Sequence, residues 1–274
     1  MSSLRMVHAT WSARKAPWRG KDSYVTDTST DEDLGRAVGA LAGGDADRNN
    51  LARAAKLAAK SMKAAGAKSV ATGLWLAEAV VDAVPHIPVR DAATLSAQHA
   101  GLTGDRLAGE VVRAASHTTA GLGAVAGALA GAQQLAPPTW AAIPAELLAE
   151  TLAVVAVEMK LVAELQEIYG MPVTGTPSQR SWAIVQAWAE SRGVTPATLL
   201  RPGGLAQVLG RSTRRELARV LQRRLALRAM RNMSALAPLM AGAVAGAELN
   251  RRATRALGEK VARDLSNMQR TART

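Results

Sequence analysis

The chain has no cysteine and no phenylalanine, and it has only two tyrosines beside six tryptophans. Without cysteine there is no disulfide framework, no thiolate metal site and no cysteine nucleophile, and this absence fits a reducing cytoplasm. The apolar content comes instead from alanine, valine and leucine, together with 23 glycines. Because small side chains let helix axes approach each other, this composition favours closely packed helices.

Catalytic and cofactor motifs are also missing. No Gly-x-Gly-x-x-Gly segment follows a strand, no Gly-Lys-Ser/Thr loop exists to hold phosphate, and no Gly-x-Ser-x-Gly elbow occurs. The four histidines lack the spacing of metal ligands, and alternating β patterns are absent. The sequence therefore predicts an all-α protein that is not an enzyme and that uses no metal and no cofactor. An enzymatic alternative would depend on Glu158 acting with His117 or His86.

The positive charge is concentrated in the last quarter of the chain. Residues 1–200 contain 18 Lys/Arg and 18 Asp/Glu, whereas residues 201–274 contain 16 Lys/Arg and only four acids. The whole formal excess of +12 therefore lies in the C-terminal region. A localised field of this kind attracts an anionic partner.

We expect three regions along the chain. Residues 1–33 lack apolar periodicity and end in an acidic run, which predicts a disordered or loosely packed arm. Residues 34–110 are expected to form an N-terminal helical region, and residues 111–274 a helical core with basic C-terminal helices. The fold predicted from these regions is a single helical bundle. The N-terminus has no apolar core of signal-peptide length, so we do not expect secretion.

The N-terminal helical region is predicted to contain three helices. A short one covers Asp33–Leu41, and a long one covers Leu51–Val84, with Asn49 or Asn50 as its N-cap. A third, short helix follows Asp91, which has the right chemistry for an N-cap. His86 and Arg90 lie close to Asp91 in the sequence and are residue types found in functional sites, but we favour the structural role for this connector.

Glycine recurs at every fourth position in two apolar stretches. The first stretch, Ala114–Ala136, contains Gly123, Gly127 and Gly131, and the predicted last helix, Pro238–Met268, contains Gly242 and Gly246. Residues four apart share one face of a helix, so each series predicts a groove that admits another helix at backbone contact. We expect the two series to pack against each other as the centre of the bundle. The first stretch is long enough to span a bilayer; we favour burial in protein, with reversible membrane contact left open.

Glu158 falls on the apolar side of a strongly apolar helix predicted over Pro144–Tyr169, whereas Glu146, Glu150 and Glu164 share the other side. A buried carboxylate has to be paired, hydrogen-bonded or protonated, because an isolated charge in a low dielectric is costly. We expect an arginine from the C-terminal region as its partner, in preference to a proton-handling role.

Eight arginines lie between Arg211 and Arg231, and a helix that begins with a capping box at Thr213 and runs to about Met233 is predicted to contain most of them. Leucines occupy one face of this helix and arginines the other, which is typical of a basic amphipathic helix. Such a face fits an anionic membrane, an acidic protein or nucleic acid. The residues predicted to bind the anionic partner are Arg215, Arg219, Arg223, Arg224, Arg228 and Arg231.

Two segments resemble the EcsC family of bacterial proteins. One is Glu158-x-Lys160-Leu-Val-x-Glu164-Leu165 followed by Tyr169-Gly170, and the other is Pro238 followed by Gly242-x3-Gly246 and Asn250. The likeness covers about Ala114–Asp264. That family is helical and poorly characterised, and it is named from a protein encoded beside an ABC transporter. The resemblance implies a membrane-linked accessory role and supplies no catalytic residue.

These observations lead to one function and one alternative. The sequence predicts a non-enzymatic cytoplasmic protein, peripheral to the inner face of the plasma membrane, that binds anionic lipid or a membrane protein such as a transporter through its arginine-rich C-terminal face. The alternative is a basic cytoplasmic protein that binds nucleic acid without sequence specificity, since phosphate affinity needs only clustered cations.

Overall fold

A computed structural model of the protein describes residues 28–66, 69–70, 73–131, 145–193, 218–223 and 239–272. Within these ranges the chain is helical and contains no strand, which confirms the all-α fold class. The Pro137–Pro138 break and most of the predicted N-terminal arm lie outside the described residues. The helices described before residue 104 are α1 (Thr28–Gly43), α2 (Arg48–Ala65), α3 (Leu74–Ala83) and α4 (Ala92–Gln98), with a 3₁₀ turn at Val84–His86.

The predicted start of the first helix is wrong. Helix α1 begins at Thr28, so residues 28–33 belong to a helix and not to an arm. Thr30 and Leu34 are both buried, each with about 1% of its surface exposed. The acidic run that favours disorder in the sequence supplies Asp31 to the first turn of α1, where negative charge complements the helix dipole.

The single helix predicted over Leu51–Val84 is also wrong, because the chain breaks between α2 and α3. Gly66 ends α2 with φ +82°, and Gly73 precedes α3 with φ +69°. Glycine readily adopts these left-handed conformations, so a residue suited to the break stands at each of its two ends. The N-cap of α2 is Asp47 and not an asparagine, since its carboxylate accepts a hydrogen bond from the amide of Asn50 at 2.8 Å.

The helix start predicted at Asp91 is confirmed, and a second start, at Thr176, shows the Thr-Pro signal typical of a first turn. Asp91 caps α4, because its carboxylate accepts a hydrogen bond from the amide of Thr94 at 2.7 Å. Helix α7 (Pro177–Ser191) begins with a capping box in which Thr176 and Gln179 bond each other's backbone amides. A capping box satisfies two amides that lack partners in the first turn of a helix.

The core of the protein is built around one helix that is buried on nearly every side. This helix, α6 (Ala145–Ile168), packs against α1, α2, α5, α7 and α8. Every residue from Leu147 to Met159 is buried, as is every residue from Leu161 to Leu165. Lys160 is the partly exposed interruption between these two runs. A helix that is hydrophobic all round is stable only inside such a shell of neighbours.

Helices α5 (Gly104–Gly131) and α8 (Leu239–Thr271) form an antiparallel pair across this core. Gly123 lies against Gly246, Thr119 against Asn250, and Val112 against Gly258. Most of the apolar stretch Ala114–Ala136 therefore belongs to a helix packed on protein, and its last five residues lie outside the described chain. Among the described helices, none has the length and apolar content needed to cross a bilayer.

Candidate functional site

The backbones of α5 and α8 touch at a pair of glycines. A Cβ atom added to Gly123 would lie 2.5 Å from the carbonyl oxygen of Gly246, and one added to Gly246 would lie 2.7 Å from the carbonyl oxygen of Gly123. No real side chain fits at such distances, so glycine is required on both helices at this contact. Gly127, Gly131 and Gly242 belong to the same two helices, but their surroundings lie outside the described residues. Packing along the full length of both series remains a prediction.

One row of α8, which we call the inner row, meets the buried helices. It consists of Gly246, Asn250, Thr254 and Gly258, four residues apart on one face. The Asn250 amide donates to the carboxylate of Glu150 at 2.8 Å and to the Thr119 carbonyl at 3.0 Å. A Cβ on Gly258 would meet Val112 at 2.7 Å. The inner row therefore combines residues that leave room for a neighbour with residues that satisfy buried polar groups.

Glu158 is fully buried, as its position in the sequence predicts. One carboxylate oxygen pairs with the guanidinium of Arg192 and accepts a hydrogen bond from the hydroxyl of Thr254 at 3.3 Å. The other oxygen accepts from the indole nitrogen of Trp188 at 3.0 Å. Among the described residues, the arginine that pairs with Glu158 comes from the C-terminal end of α7, and a partner from the arginine-rich C-terminal region stays a prediction. Helix α8 supplies the Thr254 hydroxyl.

Two further carboxylates on α6 are buried although the helical wheel groups them away from the apolar side. Glu150 and Glu164 are 4% and 2% exposed. Arg90 donates two parallel hydrogen bonds, of 2.7 and 2.8 Å, to the carboxylate of Glu164. This hydrogen bonding raises the pKa of Arg90. The wheel cannot show this burial, because neighbouring helices cover α6 on both sides. Arg90 thus has a structural partner, while His86 packs against α1 at Gly35 and Gly39.

A groove of about 580 Å³ runs along the solvent side of the α5–α8 pair. Its floor is formed by small or apolar residues, among them Ala108, Val112 and Ala262. Five arginines line it, one from α5 and four from α8, and we call them the groove arginines. They are Arg113, Arg251, Arg255, Arg263 and Arg270. Its acidic lining residues are Asp105 and Glu259, so the formal charge of the lining is positive.

Three groove arginines are paired with a carboxylate on their own helix. Arg113 pairs with Glu110, Arg251 with Glu248, and Arg255 with Glu259. Each pair spans three or four residues and is at least one-third exposed, so it contributes little stability and can open to an incoming anion. Hydrogen bonds from Arg251 and Arg252 hold the pKa of Glu248 at about 2.

The remaining two groove arginines have no carboxylate partner among the described residues. Arg270 donates to the side-chain oxygen of Asn267 at 2.6 Å, which leaves its charge uncompensated. Arg263 has neither a hydrogen bond nor an ion pair within the part of the chain that the structure describes. Asp105 lies at this end of the groove and accepts a hydrogen bond of 2.7 Å from the hydroxyl of Tyr169. Burial and this bond raise the pKa of Tyr169 well above its usual value.

The arginines predicted from the sequence lie on a different segment. Residues 218–223 are helical, with Ala218 and Leu221 buried and Arg219 and Arg223 exposed, as the amphipathic pattern indicates. The other predicted positions, Arg215, Arg224, Arg228 and Arg231, lie outside the described residues, as does the capping box at Thr213. The structure therefore places two of the six predicted side chains and shows both at the surface.

The sequence interpretation missed the groove arginines, although a signal for them exists. Arg251 and Arg255 are four residues apart, and Arg263 and Arg270 are seven apart, so each pair shares a helical face. What the sequence could not show is that α5 faces them with Arg113 across a shared groove, because that needs the register of two helices far apart in the chain. His117 also lines the groove, on the exposed side of α5, whereas Glu158 is buried in the core.

The described residues contain no group of three or more His, Asp or Glu side chains arranged to hold a metal ion. Comparison of the whole chain with protein-family profiles, with curated proteins and with solved structures finds no match. The function therefore has to be argued from the geometry of this chain.

Proposed function

We propose that this is a non-enzymatic accessory protein that associates with the inner face of the plasma membrane by binding anionic lipid or an acidic surface of a membrane protein. The observation that carries the proposal is the groove between α5 and α8, whose five arginines outnumber its two acids. Arginine presents a planar fork of donors that matches phosphate and carboxylate oxygens. A groove lined by arginine and by no lysine is suited to oxyanion recognition.

The exposed arginines of residues 218–223 support the same role. Arg219 and Arg223 project from a helical segment whose Ala218 and Leu221 are buried in the protein core. Because that apolar face is already covered, we propose that this segment contributes to binding by electrostatic attraction alone. Such binding weakens as salt screens the charges, with a screening length of about 8 Å at physiological ionic strength. We propose cytoplasmic localisation and membership of the EcsC family on the same grounds, together with the resemblance of the α6 and α8 segments.

The composition of the groove favours a membrane partner over nucleic acid. Single-stranded nucleic acid is usually bound on aromatic side chains that stack with bases. The groove lining contains neither tryptophan nor phenylalanine, and its rings are the phenol of Tyr169, whose hydroxyl is engaged with Asp105, and the imidazole of His117. The floor of small and apolar residues instead suits the apolar part of an amphiphile. We therefore propose the lipid-directed function and treat nucleic-acid binding as an outcome that the tests can reveal.

Vesicle flotation tests the proposal. At low salt, the protein should float with vesicles of phosphatidylcholine plus 30% anionic phosphatidylglycerol. The fraction that floats should be about tenfold larger than with vesicles of phosphatidylcholine alone. About 0.5 M salt should release it, because the attraction is electrostatic. Equal recovery with neutral and anionic vesicles would contradict the proposal.

The double variant Arg219→Gln/Arg223→Gln should float less well than the wild type at intermediate salt, since each basic residue near an anionic surface contributes about 1 kcal/mol. Lys56→Gln/Lys63→Gln is a charge-matched control on α2, where both lysines are exposed. A retardation gel with non-specific DNA, run at two salt concentrations, provides the competing readout. Salt-sensitive retardation of DNA without flotation would replace the proposed function by nucleic-acid binding.

A further inference from the structure

We infer that the end of the groove nearest the C-terminus of α8 is a binding site for a phosphate ester of a polyol, of the kind found in lipid headgroups and in soluble sugar or glycerol phosphates. Arg263 and Arg270 would hold the phosphate, and Asp105 would accept a hydrogen bond from a hydroxyl of the polyol. The inference deepens the proposed function and rests on it where the ester is a lipid.

The first argument is the unequal pairing of the groove arginines. Arg113, Arg251 and Arg255 each have a carboxylate within three or four residues on the same helix. Arg263 and Arg270 pair with no carboxylate among the described residues, although both line the groove; Glu259, four residues before Arg263, is paired with Arg255. An anion arriving at this end does not have to displace an existing carboxylate. The guanidinium groups of Arg263 and Arg270 are therefore available to an incoming anion, and Asp105 is the carboxylate that lines this end of the groove.

The second argument is the arrangement of donors on α8. Arg263, Ser266, Asn267 and Arg270 all line the groove and occur at the spacing of one helical face. The Asn267 oxygen accepts a hydrogen bond from Arg270, and its amide nitrogen is a further donor in the groove lining. A guanidinium carries five N–H donors, and a phosphate offers several acceptor oxygens at once. The guanidinium groups of Arg263 and Arg270, with the Ser266 hydroxyl and the Asn267 amide between them, provide enough donors for the oxygens of one phosphate.

The third argument is the acidic side chain opposite this face. The antiparallel register set by Gly123 with Gly246 and Val112 with Gly258 places Asp105 opposite the segment that carries Arg263 and Ser266. Asp105 lines the groove and already accepts one bond from Tyr169. A carboxylate offers about four acceptor positions, so it can also take a hydroxyl. A carboxylate beside two arginines favours a ligand that has both an anion and a hydroxyl, which describes a polyol phosphate.

The floor of the groove leads away from this site towards Arg251. Ala108, Val112 and Ala262 form part of that floor and offer no charge. Between residues 251 and 270, α8 rises by about 28 Å at 1.5 Å per residue. An apolar chain attached to the ester would therefore meet Ala108, Val112 and Ala262 beside the phosphate, a contact that a lipid would use and a soluble ester would not.

Isothermal titration calorimetry of the full chain with glycerol 3-phosphate tests the phosphate site without a membrane. We expect saturable binding at one site, weakened at least about tenfold in Arg263→Gln/Arg270→Gln because two charge-assisted bonds are lost. Arg106→Gln/Arg252→Gln removes the same charge from exposed positions of α5 and α8 outside the groove lining, and it should bind as the wild type does.

A steric variant tests the same site without any change of charge. Gly109 lines the groove, and a Cβ there would meet no described atom within 4 Å. Gly109→Leu should fill the groove and weaken binding of glycerol 3-phosphate at least about fivefold, since a side chain replaces the space a ligand needs. Gly121→Leu is the matched control, because Gly121 is exposed on the same helix, has equally open surroundings and does not line the groove.

Flotation with excess glycerol 3-phosphate distinguishes the two sources of the ester. If the natural ligand is a lipid, the soluble ester should compete wild-type protein off phosphatidylglycerol vesicles, and Gly109→Leu should float poorly. If it is soluble, glycerol 3-phosphate should bind while flotation stays unaffected; this outcome supports the site even if the proposed membrane function fails. Absence of saturable binding to both probes, or equal binding by wild type and Arg263→Gln/Arg270→Gln, would overturn the inference while leaving electrostatic flotation possible.

Discussion

The two faces of α8 differ sharply in how closely their residues are packed and in how much charge they carry. The inner row touches α5 and α6 so closely that Gly123 and Gly246 exclude any side chain, and Thr254 reaches a carboxylate that is fully buried. One step around the same helix, arginines point into a solvent-facing groove and pair with exposed carboxylates or with none. The same helical backbone thus serves as part of the core and as a charged surface.

This difference shows that residue type alone does not reveal a role. Arg192 and Arg263 are both arginines, but the first neutralises the buried Glu158 and the second lines the open groove. Gly121 and Gly123 are both glycines of α5, yet only Gly123 has a backbone against it. The neighbouring helix decides which role each residue has, because desolvation makes contacts costly to lose in the core and cheap to lose in water.

The largest effect should follow from removing the buried partner of Glu158. Arg192→Met should lower the free energy of unfolding by about 3 kcal/mol, since it removes a charged partner from a desolvated carboxylate. Arg252→Met, at an exposed position of α8, should change it by less than about 0.5 kcal/mol. Urea denaturation measures both. In the double variant Glu158→Gln/Arg192→Met much of the loss should be recovered; an equally unstable double variant would mean that the charge pair is not the cause.

The glycine contact gives the next largest contrast. Gly123→Ala should destabilise the protein by about 2 kcal/mol, because the new methyl group would overlap a backbone carbonyl that cannot rotate away. Gly121→Ala, two residues earlier, should stabilise it by up to about 1 kcal/mol through helix propensity. Thermal unfolding followed by circular dichroism separates the two variants. Similar melting temperatures for the two variants would contradict the requirement for glycine at the contact between α5 and α8.

A smaller loss of stability is expected when the Thr254 hydroxyl, which donates to Glu158, is removed. Thr254→Val keeps the shape of the side chain and removes one hydrogen bond, which should cost about 1 kcal/mol. Thr118→Val is the control on α5, where the hydroxyl bonds only to the Ala114 carbonyl of its own helix among the described residues. The same denaturation measurement applies. A Thr118→Val loss as large as the Thr254→Val loss would show that the hydroxyl does not act through Glu158.

The smallest effect is expected on the exposed side, at Glu248. Hydrogen bonds from Arg251 and Arg252 lower its pKa from 4.5 to about 2 in the folded protein. The resulting stabilisation is therefore present above pH 4.5 and is lost as the pH falls towards 2. Glu248→Gln should reduce the melting temperature slightly at pH 6 and not at pH 2, and 1 M salt should shrink the difference. A difference that persists at pH 2 would contradict this account.

Local sequence patterns predicted the presence of helices better than they predicted the breaks between them. The caps at Asp91 and Thr176 follow from residue chemistry that acts over three or four positions. The break between Gly66 and Gly73 did not, because the alanine-rich segment around it has strong helix propensity and only packing makes the chain turn back. Trp75 marks that turn, since its indole nitrogen donates to Ser61 of α2 at 2.8 Å. Both ends of this bond are buried, so it forms only once α2 and α3 lie together.

The candidate site was accessible to sequence reasoning only in part. The burial of Glu158 and the exposed arginines Arg219 and Arg223 follow from helical periodicity, which is a local property. The burial of Glu150 and Glu164 and the pairing of Glu158 with Arg192 depend on which helix lies alongside, and no spacing encodes that. The groove also cannot be predicted from the sequence, because it forms on the solvent side of two helices that are far apart in the chain.

By itself, the sequence determined that the chain is helical, that one carboxylate lies among apolar residues, and that cations gather near the C-terminus. Propensity, capping and amphipathic period act within a few residues, so they can be recognised without a partner in view. The tertiary structure alone decided which glycines need to be glycine, which arginines are paired with buried carboxylates, and which two groove arginines have no carboxylate partner among the described residues. Those outcomes depend on contact and desolvation between segments that are distant in the chain, as between Gly123 and Gly246, and such energies arise only after the helices have packed.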